Sequence, residues 1–557
     1  MKDTHTRAIF VLIVASSALA LCGSLTQGHD WGGDFASYIM QAQSILQGTP
    51  DAFVEANRIT VEQSSYPMGP IAYPWGFPLL LAPILALFGL NLLALKIVGA
   101  LSYLLFLFVL WRAFRRVHTA PGFLFLVALF ALNPTLLEFS DHILSDLPFL
   151  LISTLCIVLI QEVVVQKHRI FSQLLDLALI GAGIAFAFLI RTNGILLLIT
   201  LGLSQLVSHC QKRSESRHLN ATTEARRGSA SESDPLRSIT MKSVVVQVVP
   251  YIVFFTIAVW SLFLPDGGMS QASQVGSISA GMIVDHLRTY LVLPASFFTG
   301  VPFLLRLLVY GASIPLAIAG AARRYRSDYS AMIYAALTLL LYIFWPSVQG
   351  IRFLFPILPF YLSWAVSGLE ALSDRGPAAV ERRLWKALCY VPVSAVILFF
   401  GLSAGHAICR NIGNDEVLPG PFTTTSQELF SFLSSHTESD STIIFFKPRV
   451  MRLMTGRQSV SVNATEQIFR GDYLCIYLRV DARSQLPASE VESLLAQGVT
   501  QLIYTNHDFA VYRLTRRPEE LSPLPSSLRT CLRSTPSCAG WFGQSAGPPV
   551  STCTASA

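Results

Sequence analysis

Charge is what this chain has least of. Lys and Arg number 40 and Asp and Glu 34 among 557 residues, 13% together, about half the share of an ordinary soluble domain. With 52% hydrophobic residues and a mean hydropathy of +0.52, a soluble globular fold is excluded. Cysteine is sparse as well. Its nine copies form no CxxC pair, which excludes a zinc knuckle and a thioredoxin motif. Cys22, Cys156 and Cys389 sit in apolar runs as small hydrophobes, and Cys531, Cys538 and Cys553 crowd the C-terminal end. The net charge of +6 is not gathered into a basic patch with interleaved aromatics, so nucleic acid is not an expected partner. A Gly-rich phosphate loop and an internal repeat are also missing from the sequence.

What is present is a series of apolar runs near the roughly 20 residues needed to cross a bilayer. Eleven spans are read, at Ala8–Leu25, Leu90–Leu110, Pro121–Leu137, Leu147–Val165, Leu174–Ile190, Gly194–Val207, Ser243–Leu264, Val301–Ala321, Tyr329–Trp345, Phe353–Leu372 and Ala387–Ser403. The first has no small-residue cleavage site before a soluble domain and is read as a retained helix. Lys2 and Arg7, Arg112 to Arg116, Lys167 and Arg169, Lys212 to Arg227, Arg323 to Arg326 and Arg375 to Lys386 then fall on one side. That side is the cytoplasm, which places the N-terminus inside and the C-terminal region outside.

Three domains are expected: a membrane domain 1–404, an external α/β domain 405–520 and a disordered tail 521–557. Ser441–Phe446 and Leu474–Leu478 read as buried strands, Val491–Gln497 as a helix, and Gln501–Tyr504 with Phe509–Leu514 as a hairpin. The segment from His209 to Lys242 is rich in Ser, Glu and Arg and reads as disordered. The loop from Pro265 to Gly300 turns amphipathic around Met282–Leu293.

The first external loop carries the chemistry. Phe35, Ile39, Ala42 and Leu46 form one stripe of a helix whose other face holds Asp34, Ser37, Tyr38, Gln41 and Ser44. Such a helix should lie at the membrane interface with its polar face toward a cavity, and Tyr73 and Trp75 should sit at headgroup level. On the same side lie Asp30, Asp141, His142, Asp146, Arg191, Gln349 and Arg352. Singly each has a plain reading. Asp34 and Asp146 suit helix caps, Asp30 a solvated loop, and Arg191 and Arg352 headgroup anchors. Together, two acidic loops and two isolated arginines face one compartment.

Transfer of a sugar from a lipid phosphate needs these parts. Arginines would receive the phosphate, a carboxylate would take a proton from the acceptor, and a second acidic site could hold a divalent cation, with Asp146 and His142 as candidate ligands. A transporter or lipid flippase would share the spans and the outward polar residues. A non-catalytic sensor that binds glycan is a third reading.

Gly33-Asp34-Phe35 through Tyr38, Tyr73-Pro74-Trp75-Gly76-Phe77-Pro78, Ser145-Asp146-Leu147-Pro148, Arg191-Thr192-Asn193-Gly194 and Arg352-Phe353-Leu354-Phe355-Pro356 follow in this order. The pattern resembles the GT-C glycosyltransferases, in particular the bacterial branch related to dolichyl-phosphate-mannose–protein mannosyltransferases and the lipid A aminoarabinose transferase. Lys447-Pro448-Arg449-Val450 and Thr455-Gly456-Arg457 resemble the soluble domain appended to some of them. The resemblance implies a polytopic α-helical membrane protein of GT-C fold in a bacterial inner membrane. Its donor would be a polyprenyl-phosphate-linked sugar and its acceptor a lipid, glycan or protein. It implies inversion, Asp34 as catalytic base, Asp146 as the second acidic residue and Arg352 near the donor phosphate. Two departures stand out. Phe35 replaces the Glu that follows the first-loop Asp in many relatives, so any such role is absent or passes to Asp30, and the Tyr73–Pro78 piece has no Lys.

Overall fold

The computed structural model describes residues 2–65, 69–224, 241–260, 263–265, 279–374, 379–414, 418–479 and 484–515. The expected tail with Cys531, Cys538 and Cys553 lies outside these residues, as do 225–240 and 266–278 of the two expected loops. Eight described helices are long and apolar enough to cross a membrane, nine if the bent pair Ala120–Ala131 and Pro134–Ser140 counts as one. Eleven were expected, and three places account for the difference. The bent pair turns by 46° at a break before Pro134, whose ring nitrogen has no proton to continue the helix. The helix Met241–Trp260 has a shorter apolar run, from Val246.

The third place is the 41-residue helix Phe303–Ile343, which takes in two expected spans. It cannot be straight. The Tyr310 hydroxyl donates to the carbonyl of Leu291, and the ring of His286 meets the carbonyl of Ile343 at 3.0 Å. A straight helix would set residues 310 and 343 about 50 Å apart, yet five residues of the helix Ala280–Val292 span only about 7.5 Å. The two arms therefore double back, and the helix packs on Leu358–Ser373, with the Ser313 and Tyr361 hydroxyls 2.6 Å apart and Trp364 Nε1 donating to Asp328 at 3.1 Å. Glycines allow that approach: a Cβ on Gly320 would lie 1.9 Å from the Trp364 carbonyl oxygen, and one on Gly368 2.1 Å from that of Leu316.

Two helices run past the expected boundaries. The sixth span continues as the helix Ile195–Glu224 through much of the segment read as disordered, since its Gln, Lys, Arg and Glu residues are adequate helix formers. The last membrane helix, Ala379–Asn414, also outruns its apolar stretch, so the α/β region begins beyond it and not at residue 405.

The first loop contains three helices, Gly33–Gln47, Pro50–Glu62 and Gly76–Phe88. The first ends at Gly48, which takes up left-handed geometry at φ +68. Most of its expected apolar stripe is covered by protein. Phe35, Ile39 and Ala42 are buried, and so are Ser37 and Gln41 on the polar face, because the α/β region covers the loop. Trp75 is buried too.

Among its described residues that region has five strands: β1 (Thr442–Ile444), β2 (Gln458–Val460), β3 (Tyr473–Tyr477), β4 (Thr500–Thr505) and β5 (Phe509–Leu514). Their order is β2-β1-β3-β5-β4. β1 runs parallel to β2 and β3, whereas β5 is antiparallel to β3 and β4. β2 and the helices Thr424–His436 and Pro448–Thr455 had no reading in the sequence. Alternation along β3 feeds two cores. Leu474 and Ile476 pack with Val491 and Leu494, while Tyr473 and Cys475 join Phe430, Val450 and the first-loop residues Phe35, Ile39 and Phe77.

The loop is also tied to the bundle by a buried ion pair. Lys96, fully buried in the helix Leu92–Phe114, donates to Asp141 Oδ1 at 2.7 Å and to the carbonyls of Thr26 and Gly28 at 2.7 Å each. Asp141 in turn accepts from the Thr26 amide and hydroxyl, both at 2.7 Å. Lys96→Met should lower stability in detergent by about 3–5 kcal/mol, since it leaves a buried carboxylate without its cation. The double variant Lys96→Met/Asp141→Leu should recover part of that loss in the same denaturation assay. A single variant as stable as the parent would contradict the account.

Candidate active site

Gly32, not Asp34, occupies the N-cap of the helix Gly33–Gln47, so the plain cap reading of Asp34 fails. Its carboxylate lies instead between two donors. Tyr73 donates its hydroxyl proton to Oδ1 at 2.6 Å, and Arg352 approaches Oδ2 with Nη1 at 3.3 Å and Nη2 at 3.2 Å. Tyr73 is fixed to the same helix through Gln41, whose amide donates to the Tyr73 carbonyl at 2.9 Å and accepts from its N–H at 3.1 Å.

Arg352 is shared. Its Nη1 lies 3.8 Å from Asp146 Oδ2, and Asp146 Oδ1 lies 2.8 Å from Arg191 Nη2. Asp34, Arg352, Asp146 and Arg191 thus form one chain of alternating charge. Asp146 is in the first turn of the helix Asp146–Ile160 and its side chain is 1% exposed, but neither of its oxygens has an aligned hydrogen bond. It holds the two guanidinium groups by charge. Arg191 also donates from Nε to Ser145 Oγ at 3.1 Å and lies over the Phe353 ring at 5.0 Å. Tyr38 reaches the same Ser145 oxygen at 3.0 Å. Neither arginine is a headgroup anchor; both point inward.

Burial pushes the Asp34 carboxyl up, but Arg352, the Tyr73 hydroxyl and Arg449 together outweigh it and hold the group below its ordinary range. Burial, and then the Asp34 charge, push the Tyr73 phenol well above its ordinary range. Arg352 stays charged, since its two carboxylates outweigh the burial that would discharge it.

Arg449 was not foreseen as a site residue. It lies in the helix Pro448–Thr455, is 2% exposed, and places Nη1 3.4 Å from the Tyr73 hydroxyl. Tyr38 and Ser145 were likewise missed. A lone Arg after a proline in a distant segment carries no periodicity or spacing by which it could be found.

Other expected residues stand elsewhere. Asp141 is committed to Lys96. Gln349 bonds through its amide nitrogens, from its backbone to the Tyr290 hydroxyl and from its side chain to Ser347, away from the charged chain. Asp30 does not serve as a second carboxylate beside Asp34. It lies 2.8 Å from His29 Nδ1 and 3.7 Å from His142 Nε2. His29 Nε2 accepts from the Ile143 amide at 3.2 Å, which assigns its proton to Nδ1, facing Asp30.

Residues 72–223 match a family model described as dolichyl-phosphate-mannose-protein mannosyltransferase, a stretch that includes Tyr73, Asp146 and Arg191. No curated protein matches the sequence. Among solved structures, the chain is similar to ArnT from Cupriavidus metallidurans bound to undecaprenyl phosphate, with a TM-score of 0.54 and 13% identity. Against the apo state of that protein the values are 0.52 and 14%, and both comparisons cover 90% of this chain and 97% of the other. The Archaeoglobus fulgidus oligosaccharyltransferase in the apo form gives a TM-score of 0.52 at 12% identity, covering 85% of this chain and 69% of that one. The same archaeal protein has a structure in complex with Zn and sulfate. The likeness is one of fold: this chain has the fold of the GT-C membrane glycosyltransferases and is a multi-pass membrane protein.

The candidate metal ligands are not brought together. Asp146 and His142, the candidate ligands, belong to different clusters, and Asp34 and Asp146 are already engaged by arginines. Among the described residues no group of three or more His, Cys, Asp or Glu is placed to hold an ion.

The Asp30 cluster should make stability depend on pH. Burial lowers the His142 pKa, but Asp30 outweighs it, and the net value lies above the ordinary 6.5. That contribution is complete below about pH 6.5 and is lost as pH rises through the folded value. Burial raises the Asp30 pKa, but His142 and His29 outweigh it, so its own contribution is present above about pH 4 and is lost in acid. Burial holds the His29 pKa below 6.5 despite Asp30, so its contribution grows over the same rise in pH and opposes that of His142. Compared with the parent, Asp30→Asn should turn the change in melting temperature between pH 5.5 and 8 toward a gain with rising pH, since both histidines lose the carboxylate that raises their pKa values. An unchanged slope in that variant would contradict the assignment.

Proposed function

We propose that this protein is an inverting glycosyltransferase. It moves a sugar from a polyprenyl-phosphate donor to a hydroxyl or amine of a lipid, glycan or protein acceptor. Asp34 is the base, Arg352 and Arg191 receive the donor phosphate, and Asp146 holds the two arginines. The observation that carries the reading is the sharing of Arg352 between Asp34 and Asp146. The family match over residues 72–223 and the relative bound to undecaprenyl phosphate support the donor class.

The chemistry follows from that sharing. An acceptor oxygen or nitrogen attacks the anomeric carbon while its proton passes to Asp34. The bond from that carbon to the phosphate oxygen breaks, and its electron pair leaves with the phosphate. The donor phosphodiester carries one negative charge and the departing polyprenyl phosphate nearly two, so the pull on Arg352 grows as the bond breaks. Asp34 loses its own charge on taking the proton and so releases Arg352. Proton uptake and transfer of the cation therefore support each other, and the gain is largest in the transition state.

The site lies near the start of the helix Leu92–Phe114, while Arg112 with Glu162 and Arg324 with Asp328 cluster at its far end. The predominance of cations at that far end supports a cytoplasmic placement for it, with the site and the α/β region on the outer face of a bacterial inner membrane.

Membranes containing the protein, incubated with radiolabelled polyprenyl-phosphate mannose and then with other polyprenyl-phosphate sugars, should yield labelled acceptor. Asp34→Asn should lower the rate by about 10²–10⁴-fold with insertion intact. Full activity in that variant, or intact donor moved across the membrane with no transfer, would contradict the proposal. Arg352→Gln should weaken binding of undecaprenyl phosphate by about ten- to a hundredfold, the value of one or two charge-assisted bonds. Unchanged affinity would remove Arg352 from the phosphate site.

A further inference from the structure

The α/β region reaches the charged centre through one side chain. Arg449 is among the largest fully buried groups in the protein, and among the described residues no carboxylate is bonded to it. Its Nη2 donates to the carbonyls of Gly69 at 3.0 Å and Pro70 at 2.5 Å, its Nη1 to the Tyr73 hydroxyl at 3.4 Å, and its Nε has no hydrogen-bond partner among the described residues. The guanidinium lies 5.5 Å from the centre of the Tyr73 ring. A Cβ on Gly69 would come within 2.8 Å of the Tyr73 hydroxyl, so the absence of a side chain there leaves room for this arrangement.

This placement is unfavourable unless it serves something else. A guanidinium buried with an unpartnered N–H sacrifices hydration, and Arg452 one turn away on the same helix adds repulsion. The Tyr73 hydroxyl gives the arrangement a direction. Arginine can only donate, so the hydroxyl accepts from Arg449 and must point its own proton elsewhere, and the acceptor in reach is Asp34 Oδ1 at 2.6 Å.

We infer that Arg449 is a positioning residue for the Asp34 carboxylate: through the Tyr73 hydroxyl and its own charge it orients the carboxylate and keeps it ionised. The inference rests on the reading of Asp34 as the base. It gives the α/β region a part in the reaction centre, since its helix Pro448–Thr455 supplies the group that sets the polarity of the Tyr73–Asp34 bond. The charged and titratable groups that face Asp34 are Tyr38 on its own helix, Tyr73, Arg449 and Arg352, with Asp146 and Arg191 beyond Arg352. Of these, Arg449 alone comes from the α/β region.

The test is an infrared titration of the full chain in lipid nanodiscs, with the Asp34 band identified by its loss in Asp34→Asn. Arg449→Gln keeps a donor for the Gly69 and Pro70 carbonyls but removes the charge, and it should raise the Asp34 midpoint by about half a unit or more. Arg449→Lys keeps the charge and should leave the midpoint within about 0.2 unit of the parent. A midpoint that does not move in a folded Arg449→Gln protein overturns the inference. If that variant does not fold, Tyr73→Phe removes the same hydrogen bond from Asp34, and an unmoved midpoint there overturns it equally. Failure of the underlying reading looks different: Asp34→Asn would then transfer sugar normally, whatever the titration shows.

Discussion

One guanidinium between two carboxylates organises this site. Arg352 lies 3.2 Å from Asp34 and 3.8 Å from Asp146, and those acids come from segments more than a hundred residues apart. Three buried or half-buried charges would be costly apart, and together they offset one another. The arrangement is therefore stable at rest and open to change. An anion stronger than a carboxylate can take the cation from Asp34, while Asp146, paired with Arg191 on its other side, keeps Arg352 from drifting away.

The scaffold serves that placement. Arg352 follows the doubled-back helix Phe303–Ile343, Asp146 and Arg191 stand where two membrane helices meet, and Asp34 is in the first loop. The loop needs two anchors because it is not itself a span. Lys96 and Asp141 fix its start, and the α/β region covers its helices, with Arg449 reaching Tyr73 from above. A loop held from both sides can keep a carboxylate within hydrogen-bond distance of an arginine on another element.

Much of this was legible in the sequence, for reasons that differ by element. Hydropathy reveals spans because lipid demands apolar length. The shared side of Asp34, Asp146, Arg191 and Arg352 followed from charge bookkeeping, and the structure brings these four together. Their pairing did not follow, since which acid meets which arginine is a matter of three-dimensional packing. Asp30 and Asp141 were expected only on the same side as Asp34, because a carboxylate's partners, here His29, His142 and Lys96, are invisible to spacing. What covers the first-loop helix was not legible, because amphipathicity shows that a face is apolar, not what packs on it; here Phe430 and Val450 do. Helix ends such as Glu224 and Asn414 outran the hydropathy signal because a helix can project beyond the bilayer once started.

The central claim is that Arg352 passes from Asp34 to the phosphate. A structure of the protein with undecaprenyl phosphate bound tests it most directly. The account predicts Arg352 on the phosphate oxygens, Asp34 left with Tyr73, and Asp146 still on Arg191. A phosphate bound elsewhere, with Arg352 still on Asp34, would contradict it.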